Sequence, residues 1–259
     1  MIEDTVGFIG GGRITRIFLA GLDRAGRLPN EIVVGDADKK VLEALQFDFP
    51  GIHCVVGDNH WPASQMAVFL ALHPPAIREC LQDIRNCLRE EAVLISLAPK
   101  ITIQQLSDGL GGFQRIIRMI PNAPSILNAG YNPVAFSPAF SIEEKEKWLS
   151  WFHHLGESPE ISEQKLEAYA IITAMGPTYL WFQLYELLNI AKSMGLDEAE
   201  AVMGISAMTV GAVQCFSTHE MDAAQVMDLI PVKPLGEAET SIKEIYQRNL
   251  VTLFNKIKA

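Results

Sequence analysis

The sequence predicts an α/β protein, a parallel sheet wrapped by helices, followed by an all-helical C-terminal part. Three observations carry this. Short apolar runs alternate with amphipathic helical stretches over the first ~120 residues, the pattern of strand–helix–strand units. The first run passes straight into three glycines that open a helix. Beyond residue 160 the strand-like runs cease and nearly every segment has helical periodicity. The expected division is therefore 1–160 and 161–259.

Thr5 to Ile9 is an uninterrupted apolar run bounded by glycine, as expected of a buried parallel strand. After Gly10-Gly11-Gly12, the residues Ile14, Ile17, Phe18 and Leu22 share one helix face. Ile32-Val33-Val34 is a second strand ending in Gly35-Asp36, and a helix is expected from Lys39 to Phe47. Further strands are expected at 52–56, 66–72, 92–97 and 116–120. Between 66–72 and 92–97, Ile77, Leu81, Ile84 and Leu88 line one face of a helix. Ser141 and Glu144 have capping-box spacing, and their helix should run to a stop at Gly156. Helices then follow over about 163–173, 177–194 and 197–219, with two more after Met221. The stretch Tyr179 to Leu188 is apolar nearly all round, so it must be covered, and ~100 helical residues have too little interior to cover it. A homodimer through this part is expected.

The glycine turn has a specific chemical meaning. In Gly10-x-Gly12-x-x-Thr15 the first glycine allows a tight turn, and the second lets the backbone approach a pyrophosphate at the helix N-terminus. Placed between strand and helix, it marks a Rossmann-type dinucleotide site. Thr15 stands where glycine or alanine is usual. Asp36, at the end of the second strand, is positioned to accept ribose hydroxyls and to repel a 2′-phosphate, which favours NAD over NADP. Its rival role is a helix cap, since Asp36-Ala37-Asp38 precedes a helix.

Composition narrows the partners. Of 259 residues 49% are hydrophobic and 20% charged, and the net charge is −10, which disfavours a nucleic-acid partner. Four cysteines without a CxxC pair suggest reduced thiols, and the acidic start Met1 to Asp4 is unlike a signal peptide. No uninterrupted apolar run reaches the ~18 residues of a membrane span. A cytoplasmic protein is expected. His53, Cys54, Asp58 and His60 cluster locally but lack zinc spacing, so no metal is expected. His153-His154 should be surface, and Met203, Met208 and Met227 helix packing.

Several segments in order resemble the pyrroline-5-carboxylate reductases. Gly7-Phe8-Ile9-Gly10-Gly11-Gly12 is similar to their GFIGxGxM, Asp58-Asn59 to their Asp-Asn pair, and Ala71-Leu72-His73-Pro74 to their Ala-Val-Lys-Pro. Ser96-Leu97-Ala98-Pro99 stands for Ser-Ile-Ala-Ala. Arg118-Met119-Ile120-Pro121-Asn122-Ala123-Pro124 with Asn128-Ala129-Gly130 is close to RxMPNTP…xAG. Gly176-Pro177-Thr178-Tyr179 resembles GPAY, and Met194-Gly195-Leu196 resembles MGLP. The resemblance implies an NAD(P)H-dependent oxidoreductase of proline biosynthesis, with hydride transfer to a cyclic imine. It implies cofactor contacts from Gly10, Gly12, Arg13, Ile14, Asp36, Asn59, Ala71, His73, Pro74, Ala98 and Asn122.

The substrate half departs from that pattern. Where the family has a hydroxyl before Gly-Pro, this chain has Met175, leaving Thr173 as the candidate substrate hydroxyl; a cap is its rival role. Lys233-Pro234-Leu235-Gly236-Glu237-Ala238 replaces Ser-Pro-Gly-Gly-Thr-Thr, putting the carboxylate of Glu237 in the substrate region. Tyr185 stands where the family often has a carboxylate, and Lys100 where it has glycine. Two alternatives follow: a diverged paralogue reducing another imine or a carbonyl, and a non-catalytic NAD(P)-binding regulator. β-Hydroxyacid dehydrogenases share the plan but carry a lysine early in the helix after the junction, and 176–182 has none.

Overall fold

The computed structural model describes residues 5–258; the acidic start Met1 to Asp4 lies outside them. Strands buried on both faces build the first unit. β1 (Thr5–Ile9), β2 (Glu31–Asp36), β3 (His53–Val56), β4 (Ala67–Leu70), β5 (Val93–Ser96), β6 (Ile116–Met119) and a short β8 (Val134–Phe136) form one sheet in the order β3-β2-β1-β4-β5-β6-β8. All neighbours pair in parallel except β8, which runs antiparallel to β6 with Ile117 opposite Phe136. That antiparallel edge amends the purely parallel expectation. Three residues are too short to show a period, so β8 is invisible as a pattern.

Successive side chains go to opposite faces. Val6, Phe8, Ala67, Phe69, Val93 and Ile95 join one core, and Ile9, Val68, Leu70 and Leu94 join the other. Onto the first face pack α1 (Arg13–Arg24) and α6 (Ile142–Phe152), through Phe18, Leu22, Trp148, Trp151 and Phe152. Phe8 and Phe69 stack at 4.7 Å between centroids, and Phe69 meets Trp151 at 5.9 Å. The second face is covered by α4 (Pro74–Ile84) and α5 (Ile103–Gly109), with Ile77, Leu81, Ile84 and Leu106 buried. α2 (Lys39–Asp48) contributes Leu42 and Leu45 to the first core.

The expected elements are present with local differences. The Ser141–Glu144 capping box forms, but the α-helix ends at Phe152 and a 3₁₀ turn carries the chain to Gly156 at φ 123°. α3 (His60–Ala63) and α5 have no counterpart among the expected elements; both are too short for a clear period. A second small sheet pairs β7 (Gly130–Tyr131) with β9 (Gly156–Glu157). The single helix expected over 163–173 is instead a 3₁₀ turn at Glu163–Lys165, α7 (Leu166–Tyr169) and a π-helical turn at Ala170–Ala174.

The chain divides into two compact units after Met175, and Leu253 onward belongs with the first. Composition changes near residue 160, yet Ile161, Leu166, Ala170 and Ala174 still pack with Ile120 and Ala135 at the sheet edge. The second unit, Gly176–Thr252, holds α8 (Pro177–Ser193), α9 (Glu198–Ser217), α10 (Ala223–Asp228) and most of α11 (Glu239–Ile257). α8 has no buried residue and α9 only Ala201. Phe182 is 67% exposed, Tyr185 69% and Phe216 83%, although each is apolar or largely so. Met203, Met208 and Met227, expected in helix packing, are exposed as well. Broken by Glu200 and other polar residues, α9 shows no continuous apolar run, yet by length and composition it could cross a membrane.

Candidate dinucleotide site

The site begins with the turn after β1. Gly10 has φ 103°, a conformation L side chains rarely adopt, and a Cβ there would lie 2.6 Å from the Ala71 carbonyl oxygen. Gly12 caps α1, and a Cβ on it would meet nothing within 4 Å. The helix therefore presents its N-terminal amides to open space, the arrangement that receives a phosphate. Thr15 is fully buried and its hydroxyl donates to the Gly10 carbonyl at 2.6 Å. The hydroxyl thus pins the turn from below.

Asp36 organises the same loop. Its Oδ2 accepts from the Gly11 amide at 2.7 Å and its Oδ1 from the Asp38 amide at 2.8 Å. The N-cap of α2 is Asp38, whose side chain accepts from Lys40 N at 2.9 Å. The carboxylate of Asp36 is thus held at the end of β2 against the glycine turn.

A cleft of about 300 Å³ opens from this turn, within the first unit. Gly12, Arg13 and Ile14 line it at the start of α1, Ala71 to Pro74 after β4, and Leu97 to Pro99 after β5. Ile120, Pro121, Ala170, Ala174 and Met175 complete it. The cleft lies at the carboxyl ends of β1, β4 and β5, where the strand order reverses between β1 and β4. Open α/β sheets bind ligands at such a switch point. The residues present fit a dinucleotide: a free helix N-terminus, an arginine beside it, and apolar walls for a flat ring. His73, at the N-cap of α4, is an exposed ionisable side chain on the wall.

Of the residues expected at the cofactor, Gly12, Arg13, Ile14, Ala71, His73, Pro74 and Ala98 line the cleft. Asn59 instead donates from Nδ2 to Asp83 Oδ2 at 3.1 Å, beside a His60–Asp83 contact of 2.8 Å. The hydrogen bond and charge of Asp83 raise the His60 pKa. Hydrogen bonds from His60 and then Asn59 hold Asp83 below the usual carboxylate range. Nearby on α4, burial pushes the Cys80 thiol up to about 12, so it is inert at neutral pH. Asn122 is buried and braces the loop after β6: Oδ1 accepts from the Tyr131 amide at 3.0 Å, and Nδ2 donates to the Thr173 carbonyl at 3.3 Å. Thr173 donates its hydroxyl to the Tyr169 carbonyl at 2.9 Å, while Ala174 and Met175 face the cleft. Glu237 lies in the second unit, exposed on a 3₁₀ turn at Gly236–Ala238.

One buried group escaped the sequence reading except as a motif letter. Arg118, 1% exposed on β6, gives Nη1 to Glu163 Oε1 at 2.9 Å and Nη2 to Glu167 Oε1 at 2.7 Å. Glu163 Oε1 also accepts from Ile103 N at 2.6 Å, and Glu167 Oε1 from Lys100 N at 3.0 Å. The available signal was a lone arginine inside the apolar run Ile116 to Ile120, which burial tolerates only with partners.

A glycine turn feeding a helix N-terminus at the switch point of a doubly wound sheet defines the class: a dinucleotide-binding oxidoreductase scaffold. Residues 5–100 match the family model described as NADP oxidoreductase coenzyme F420-dependent. The pyrroline-5-carboxylate reductase of Escherichia coli (strain K12) is 26% identical over 214 residues, 82% of this chain and 79% of that protein. A solved Coxiella burnetii pyrroline-5-carboxylate reductase aligns with TM-score 0.70 and 27% identity, over 98% of this chain and 94% of that one. The Plasmodium falciparum pyrroline carboxylate reductase with NADP bound has the same fold, with TM-score 0.83 and 20% identity, over 100% of this chain and 98% of that one. These likenesses support the family to which the motifs pointed, the pyrroline-5-carboxylate reductases.

Replacing Arg118 by Met leaves Glu167 a buried carboxylate without its cation. The expected loss is about 3–5 kcal/mol of stability, read from the denaturant midpoint. A loss under about 1 kcal/mol would show the pairs to behave as surface ones.

Proposed function

We propose that the protein is an NAD(P)H-dependent reductase of the pyrroline-5-carboxylate reductase type, which transfers hydride to the C=N carbon of a cyclic imine and yields proline. The observation that carries this is the cleft, where the glycine turn and the start of α1 meet the walls at Ala71 to Pro74 and Leu97 to Pro99. When bound, the nicotinamide supplies the hydride. The chain's own residues place and polarise. The first amides of α1 and Arg13 offer positive charge to the pyrophosphate. Apolar Leu72, Leu97, Ile120 and Met175 keep water from the ring face. His73 offers a proton donor at the wall, and Thr173 a hydroxyl oxygen close to Ala174 and Met175. Asn59 and Asn122 serve the cofactor indirectly, by fixing the loops after β3 and β6. Glu237 belongs to the substrate region of the second unit. The cofactor domain expected over 1–160 takes in the segment up to Met175 as well, and the substrate and dimerisation domain expected over 161–259 centres on Gly176–Thr252.

A second reading concerns the substrate alone. Met175 lines the cleft with an apolar side chain where the family has a hydroxyl, which favours an imine or carbonyl substrate other than pyrroline-5-carboxylate. Oxidation of the cofactor should be followed with pyrroline-5-carboxylate, piperideine-2-carboxylate and uncharged pyrroline. Turnover of the carboxylated imines is expected. Turnover of uncharged pyrroline alone transfers the assignment to the diverged reading, and tight NADH binding without turnover transfers it to the regulator.

For the cofactor we favour NADH, because the Asp36 carboxylate sits where a 2′-phosphate would bring like charge. Asp36→Ser should narrow the NADH preference by about tenfold; an unchanged NADH/NADPH ratio refutes Asp36 as the selector.

The apolar faces of α8 and α9 support a homodimer through the second unit. A second copy, rather than a lipid bilayer, is the occupant consistent with a cytoplasmic enzyme whose four cysteines are free. Light scattering at micromolar concentration should give twice the chain mass or a multiple of that. A monodisperse monomer would sink the dimer.

A further inference from the structure

We propose that Glu167 is a positioning residue for the dinucleotide, setting the separation of two cleft walls through Arg118 and the main chain of Lys100. The inference rests on reading the cleft as the cofactor site. One wall, Leu97 to Pro99, continues from β5, and the sheet ladder still holds Leu97, whose amide donates to the Leu70 carbonyl at 3.1 Å. Past Pro99 that support ends. Lys100 has φ 79°, the left-handed region that glycine tolerates and lysine resists. The contact that faces this conformation is the 3.0 Å hydrogen bond from Lys100 N to Glu167 Oε1.

The same oxygen accepts from Arg118 Nη2 at 2.7 Å, and Arg118 is anchored on β6 inside the sheet. Glu167 is also one turn before Ala170, the first residue of the opposite wall, which goes on to Ala174 and Met175. One carboxylate oxygen therefore ties both walls to a rigid strand. Glu163 repeats the arrangement one turn earlier, joining Arg118 to the Ile103 amide, and secures the far end of the same loop. Without the Glu167 oxygen, Lys100 relaxes to negative φ and carries Pro99 with it. A glycine at position 100 keeps the left-handed turn without the hydrogen bond. Strain held in place by its surroundings at a ligand-binding wall is the expected mark of such positioning.

The test measures NADH and NADPH dissociation constants by fluorescence on the full chain, with a thermal melt of every variant. Glu167→Ala should weaken both cofactors on the order of tenfold. Adding Lys100→Gly to it should restore binding to within about threefold of wild type. Glu167→Gln, which keeps an oxygen at this position, should bind more tightly than Glu167→Ala. A lowered melting temperature with unchanged dissociation constants, or no recovery in the double variant, overturns the inference while leaving the cofactor reading intact. Wild-type protein that binds neither cofactor overturns both. If Glu167→Ala yields no folded protein, Glu167→Asp decides. It keeps the charge on Arg118 but withdraws the oxygen from Lys100, so the same weakening and the same rescue are expected, and unchanged binding overturns the inference.

Discussion

A guanidinium buried on a strand, as Arg118 is on β6, costs several kcal/mol in desolvation unless carboxylates answer it. Arg118 is answered twice, by Glu163 and Glu167, and their oxygens are in turn satisfied by the amides of Ile103 and Lys100. The cluster holds one positive and two negative groups. It is tolerable because Glu163 keeps 30% of its side chain in solvent and a main-chain amide adds a second donor to each Oε1. Around this point the sheet edge, the loop after β5 and the segment 163–175 acquire fixed relative positions. Much of the cleft depends on it.

The other half of the cleft is made by geometry rather than charge. Gly10 cannot carry a side chain because the Ala71 carbonyl already occupies the space, so β1 and β4 deliver their ends to the same spot. Thr15 and Asp36 then lock the turn from either side, one through a buried hydroxyl and one through a carboxylate on the Gly11 amide. The glycine-turn side of the cleft is thus preorganised by hydrogen bonds to its backbone. The opposite side is largely apolar, with His73 as the ionisable side chain at the N-cap of α4.

Much of this was legible in the residues. The alternation of short apolar runs with amphipathic helices gave the sheet and its helices, because burial on both faces demands uninterrupted apolar strands. The glycine triplet located the turn at which the cleft opens, since few residue types satisfy it. Legibility failed where contacts are long-range. Asn59 and Asn122 carried family positions, yet their amides answer Asp83 and Thr173, partners 24 and 51 residues along the chain. The break in the 163–173 helix has the same origin: the π turn brings Ala174 and Met175 to the cleft, and no local period encodes it.

What the sequence alone determined was the class: a parallel sheet with a dinucleotide turn, a helical second part, and a scaffold named by its motifs. These follow from local rules of period, turn and cap, which a chain carries with it. Only the tertiary structure decided which side chains line the cleft. It turned Thr173 inward to Tyr169 and Met175 toward the cavity, and it put Lys100 in a left-handed turn under Glu167. The Thr173 bond is local, but the turn at Lys100 is settled by Glu167, 67 residues further along the chain, and no local pattern records that outcome.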